Sequence, residues 1–144
     1  MKASLFIAAA AHAVNGELHA LRIGLPVVVP GQPFAVGALI EVPYLEAIDD
    51  HSFKVELVDE YGEPFEVEGP DGQKHRVVIE GTGGTGIPPK HRVGSPRIVT
   101  IGGNLVLPLA FGMRYEFRLS IDGKQNDAWV VGFDTPPTPM AEAA

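Results

Sequence analysis

"MKASLFIAAAAHAVNGELHALRIG" at residues 1–24 admits two readings. As an export signal it offers Lys2, an apolar run from Leu5 to Ala11, and "AHA" at 11–13, an A-x-A cleavage pattern. Signals of that kind run to about 15–30 residues, and the segment up to the A-x-A pattern, ending at Ala13, has only 13. The run is also too short to span a bilayer, which takes about 20 apolar residues. As structure, the same stretch is two runs separated by Asn15-Gly16, a strong tight-turn signal. We read it as strand, turn, strand: a starting hairpin whose first run is a buried central strand, its small Ala residues facing a crowded neighbour. On that reading no cleaved signal peptide exports the chain, and its place is the cytoplasm or a virion.

Working outward, period-two alternation recurs. "SFKVELVD" sets Phe53, Val55 and Leu57 against Lys54 and Glu56. "RYEFRLSID" sets Tyr115, Phe117, Leu119 and Ile121 against Glu116, Arg118 and Ser120. "DAWVVGFD" aligns Trp129, Val131 and Phe133, and "PFAVGALIEVP" aligns Phe34, Val36, Ala38, Ile40 and Val42. Successive side chains of a strand point to opposite faces, so each segment predicts a half-buried strand. "HRVVIEG" and "PRIVTIGGNLVLPL" add two candidates. Gly with Asp or Pro at "EYGEP", "GPDGQ" and "DGKQND" predicts reversals, the last two as hairpins. Pro26, Pro30, Pro43 and Pro108 bound strands or place them at edges, since proline cannot donate to a ladder. "YLEAIDDH" at 44–51 is a single helical turn or a loop. The expectation is an all-β, single-domain antiparallel β-sandwich of about eight strands over residues 1–135, followed by a Pro/Ala-rich tail, 136–144. The absence of any sustained glycine or bulge pattern that would bend strands round a barrel favours the sandwich.

Composition narrows the function classes. The 144 residues contain no cysteine, which excludes disulfides, thiolate metal sites and a cysteine nucleophile. The net charge of −7 leaves no footprint for nucleic acid or an anionic membrane, and neither is expected as a partner. The charge is uneven: residues 41–71 carry a net −10 and residues 73–97 a net +4. One reading is two solvated faces; the other is complementary patches that meet head to tail between copies.

Chemistry-bearing motifs are weak. "GTGGTG" at 81–86 matches G-x-G-x-x-G after a strand, but the following "IPPKHRVGSP" cannot open the helix that a dinucleotide site requires. Lys90 does not complete a phosphate loop either. The remaining reading is a long contact loop, Gly81 to Pro96. "DDH" at 49–51 has metal-ligand chemistry but no third or fourth ligand in view, and a capped, solvated loop explains it equally. None of Ser4, Ser52, Ser95 and Ser120 sits in a G-x-S-x-G elbow. Trp129 with Tyr115 and Phe117 fits a sugar-stacking platform, yet its alternation with apolar neighbours favours the core. No catalytic residue, metal or cofactor is therefore expected. The expected contact residues are Gly83, Gly84, Gly86, Lys90 and Arg92 in the loop, and Pro136, Pro137 and Pro139 in the tail. A tail so rich in proline and alanine packs nothing by itself and gains order by docking, for instance on a neighbouring copy.

The succession "AAAHAVNGELHALRIG", "PFAVGALIEVPYLEA", "HSFKVELVDEYGEP", "PPKHRVG", "NLVLPL" and "RYEFRLSIDG…W" resembles a family of small bacterial and phage β-sandwich proteins with no assigned activity. The likeness covers most of residues 3–133. It rests on strand-and-turn patterns, so it implies a fold and supplies no catalytic residue. "GTGGTGIPP" departs from the family's less interrupted pattern, which marks that loop as this chain's own specialisation. Three functions follow as expectations. The first is a non-enzymatic structural or interaction protein, a subunit docked on other protein subunits, such as a phage virion decoration or accessory protein. The second is a cytoplasmic binding module that holds a small ligand or peptide through its 81–96 loop. The third is a hydrolase assembled from distant Asp and His residues.

Overall fold

A computed structural model describes residues 1–14, 17–83 and 92–138. Among them are eleven strands: β1 (Lys2–Ala8), β2 (Ala10–Val14), β3 (Glu17–Leu21), β4 (Phe34–Val42), β5 (His51–Asp59), β6 (Glu66–Glu68), β7 (Lys74–Arg76), β8 (Val78–Gly83), β9 (Arg97–Leu105), β10 (Arg114–Ile121) and β11 (Lys124–Asp134). A three-stranded sheet of order β1-β4-β9 faces a four-stranded sheet of order β11-β10-β5-β8. Two small hairpins, β2–β3 and β6–β7, complete the fold. The pairings within both sheets are antiparallel. The all-β sandwich is thus as expected, with eleven strands in place of about eight.

Two of the extra strands come from runs that each break once, and a third is the short β6. The opening run bends at Ala9, where the amide donates to the Leu21 carbonyl. β1 then pairs with β4, Ile7 opposite Val36, while β2 and β3 form the hairpin, Val14 opposite Glu17. The expected starting hairpin is therefore β2–β3 alone, and β1 is an edge strand where a central one was expected. Asn15-Gly16, the expected turn, lies outside the described residues. "HRVVIEG" breaks at Val77, whose carbonyl accepts from Leu57 N and whose amide donates to the Phe65 carbonyl. There the β6–β7 hairpin branches away from β5.

The periodic residues fill the core. Phe34, Val36, Ala38, Ile40 and Val42 from β4 meet Phe53, Val55, Leu57, Tyr115, Phe117, Leu119, Ile121 and Phe133 from the opposite sheet, all buried. Phe133 centres an aromatic cluster, with ring centroids 5.6 Å from Phe34, 5.7 Å from Tyr115 and 5.9 Å from Phe117. Trp129 packs partly buried against this core, as its alternation predicts. The β10–β11 reversal is the expected hairpin: Asp122 and Gly123 both have positive φ, 51° and 79°, the geometry of a two-residue primed turn.

The β2–β3 hairpin folds back over the outer face of the three-stranded sheet. Leu18 packs on Gly102, where a Cβ would stand 2.9 Å from its methyl. Asn104 completes the contact: its Oδ1 accepts from Ala11 N at 3.0 Å and its Nδ2 donates to Ala11 O at 2.7 Å.

Part of the charge contrast along the sequence is met within the chain. Glu66 lies opposite Arg76 and Glu68 opposite Lys74 across β6–β7. Lys54 lies opposite Glu80 across β5–β8, and Arg118 opposite Glu56 across β5–β10. Arg76 also reaches Glu56 at 3.7 Å. Such partly exposed pairs contribute at most about 1 kcal/mol each. They bring Glu56, Glu66 and Glu68, three of the eleven acids of residues 41–71, opposite or near Lys74 and Arg76 of the basic segment.

Candidate functional site

One end of the sandwich gathers most of the features with functional chemistry. β4 ends there at Val42, β5 begins there at His51, and β8 ends opposite it, Gly83 against His51. β9 begins there, Arg97 opposite Val42, and the Asp122-Gly123 turn closes β10 onto β11. We call this the loop end.

Pro43 stops β4, and the next residues make one uncontinued helical turn. The amides of Glu46 and Ala47 both donate to the Pro43 carbonyl at 2.9 Å, and Asp49 N donates to Glu46 O at 3.3 Å. Ala47, 1% exposed, plugs the core beneath. With Ala47 turned inward, Leu45 and Ile48 project into solvent, 77% and 57% exposed. Glu46, Asp49 and Asp50 are exposed beside them. Val93, in the turn closed by Ser95 N donating to Arg92 O, is 80% exposed at the same end. Exposed apolar side chains that share one end of a fold are candidate contact residues.

His51 ties the turn to the hairpin opposite. Its Nδ1 lies 2.7 Å from Asp122 Oδ2, and its Nε2 meets the Glu46 carbonyl oxygen. Asp122 Oδ1 accepts from Ser52 N at 2.9 Å, and Asp122 N donates to Ser52 O. The His51 side chain keeps only 11% of its surface exposed. The Asp122 hydrogen bond and then the Glu46 carbonyl raise the His51 pKa, against a smaller opposing effect of burial. The Asp122 carboxyl is lowered by His51 and by Ser52 N. The His–Asp pair is two members of a hydrolytic triad, but Nε2 is spent on a carbonyl and serves no hydroxyl. The "DDH" metal reading meets the same obstacle, since both ring nitrogens of His51 are engaged. Among the described residues, no group of three or more His, Asp or Glu side chains is placed to hold an ion.

Two open clefts flank this end. One of about 500 Å³ is lined by Met1, Lys2, Pro43, Tyr44, Gly94 and Pro96. The other, about 540 Å³, is lined by Ser52, Lys54, Glu80, Gly81 and Ser120.

The sequence-predicted contact residues do not form one site. Gly81–Gly83 belong to β8, so the expected loop starts later than Gly81. Arg92 is exposed at the loop end. Gly84, Gly86, Lys90 and Pro139 lie outside the described residues. Pro136 and Pro137 sit at the opposite end, about 26 Å away by the rise along β5. Pro136 O accepts from Gly112 N at 2.7 Å, so the root of the tail docks on its own chain. Thr135 secures it: the hydroxyl donates to Ala110 O at 2.7 Å and accepts from Met113 N at 2.9 Å. Thr135→Val should cost about 1–2 kcal/mol in urea unfolding, because it strands a part-buried amide and carbonyl. No loss of stability would show that the tail root is not held this way.

Sequence reading passed over Leu45, Ile48 and the His51–Asp122 pair. Apolar residues confined between Pro43 and Asp49-Asp50 were the available signal for the first two. A pair 71 residues apart leaves no local signal. No family model matches the chain, and no curated protein and no solved structure matches it. No helix among the described residues is long and apolar enough to cross a membrane.

Proposed function

We propose that this chain is a non-enzymatic structural or interaction protein, docked on other protein subunits through its loop end as a decoration or accessory protein of a virion-type assembly would be. The observation that carries this reading is the solvent projection of Leu45, Ile48 and Val93 at one end of the fold. The acids between and beside Leu45 and Ile48, with Arg92 beside Val93, give the surface a charged surround, the usual build of a contact with a desolvated centre.

The test is native mass at low and high salt for the full chain and for Leu45→Asp/Ile48→Asp. Each buried apolar side chain is worth about 1.5–3 kcal/mol, so the pair should weaken association about 100-fold or more. Both residues are exposed, so thermal unfolding should stay within about 0.5 kcal/mol of the parent. A wild-type chain that stays a 15.3-kDa monomer at both salts would count against docking between copies.

A second reading, a cytoplasmic module holding a small ligand or peptide through its 81–96 loop, draws on the cleft of about 500 Å³ that Gly94 and Pro96 help to line. Ligand binding by a persistent monomer, lost on altering Tyr44, would favour it.

A further inference from the structure

We propose that His51 is a protonation latch that holds the docking turn, so that the loop-end surface is organised when the imidazole is charged and loosened when it is neutral. The proposal rests on the docking reading for its purpose, and on geometry for its operation.

Both ring nitrogens of His51 face acceptors: a carboxylate oxygen of Asp122 and the carbonyl oxygen of Glu46. Neither acceptor carries a hydrogen to give. A neutral imidazole has one N–H and one lone pair, so only the imidazolium satisfies both contacts. When the proton leaves, the nitrogen beside the carboxylate keeps its hydrogen, because the anion is the stronger acceptor. Nε2 then turns a lone pair toward Glu46 O, and the contact becomes repulsive. Glu46 lies between Leu45 and Ile48, and its carbonyl also accepts from Asp49 N. Release of that carbonyl frees the turn that presents both apolar side chains.

The ionisable groups around the ring act in one direction. The turn supplies Glu46, the β10–β11 hairpin supplies Asp122, and both favour the cation. Asp49 and Asp50 precede His51 in the chain and are exposed. β8 brings Gly83 opposite it, and β5 adds the uncharged Phe53 ring, centroid 6.4 Å away. Because the folded pKa lies above the ordinary 6.5, the latch is at full strength below that value and is lost as pH rises through the folded pKa. Asp122 is shifted the opposite way from 3.8, so its half of the pair fails only as pH falls through that lower value.

The test uses the full chain alone. NMR follows the His51 ring titration, while hydrogen exchange follows the Ala47 and Asp49 amides. Protection factors, which divide out intrinsic base catalysis, should drop about tenfold or more as His51 deprotonates. His51→Gln should flatten that pH profile. Asp122→Asn should bring the His51 titration down toward its ordinary value. A His51 that titrates at or below its ordinary value, or turn protection unchanged through the titration, would overturn the latch. None of these readouts needs a partner. A failed latch therefore leaves the Leu45/Ile48 result standing, and a working latch in a chain that never associates overturns only the docking reading.

Discussion

Phe133→Ala should lower the unfolding free energy by about 3–5 kcal/mol, the largest effect expected of any substitution considered for this chain. Phe133 is fully buried and touches aromatic rings from both sheets. Truncation removes its transfer free energy and leaves a cavity that β4 and β10, each pinned by ladders on both sides, cannot close. A domain of this size has about 5–15 kcal/mol in hand, so the variant would be marginal. Urea titration should show a lower midpoint with an unchanged slope. A loss below about 1 kcal/mol would mean that the two sheets do not meet through this cluster. The effect should also reach the tail root. Tyr115 stacks on Phe133, and its hydroxyl accepts from Ala110 N at 2.9 Å, next to the Thr135 contact.

Asn104→Ala should cost about 2–4 kcal/mol, a large effect for a residue counted as exposed. Ala11 is 3% exposed, and its amide and carbonyl both point to the Asn104 side chain. Alanine strands one donor and one acceptor, each at about 1–2 kcal/mol, the lower part of the usual range because Asn104 itself is open to water. Asn104→Asp should recover nothing over alanine, because its carboxylate still accepts from Ala11 N but sets an anionic oxygen against Ala11 O where Nδ2 had donated. Exchange of the Ala11 amide should accelerate in the alanine variant before global unfolding does. Equal protection in parent and variant would show that the β2–β3 hairpin is held by Leu18 and Gly102 alone.

Much of the sandwich was legible because burial on one face imposes a period of two. "RYEFRLSI" alternates without exception, and its four apolar residues are the buried ones of β10. "DG" at 122–123 named the hairpin between β10 and β11 for an equally local reason: both residues must take positive φ. The opening segment misled in part. Its alanines satisfy a strand on either face, so nothing in "FIAAAAHA" showed the bend at Ala9 or that the chain changes partner there. "HRVVIE" misled likewise, because a continuous apolar run hides a branch point that only the Leu57, Phe65 and Val77 backbone contacts define.

By itself, then, the sequence determined an all-β chain, most of its strands, its central reversals and the residues of its core. Those features depend on neighbours two to five positions apart, and periodicity or turn chemistry records them. Tertiary structure alone decided which ends of the strands lie together. Pairing β5 with both β8 and β10 puts His51 beside Asp122 and sends Pro136 to the far end. Tertiary structure also sets Glu66 and Glu68 opposite Arg76 and Lys74, and it turns Ala47 inward so that Leu45 and Ile48 face water. Each of these joins residues far apart in the chain or selects between the two sides of a turn. No local pattern encodes such choices, because they are settled by what the rest of the chain leaves to be covered.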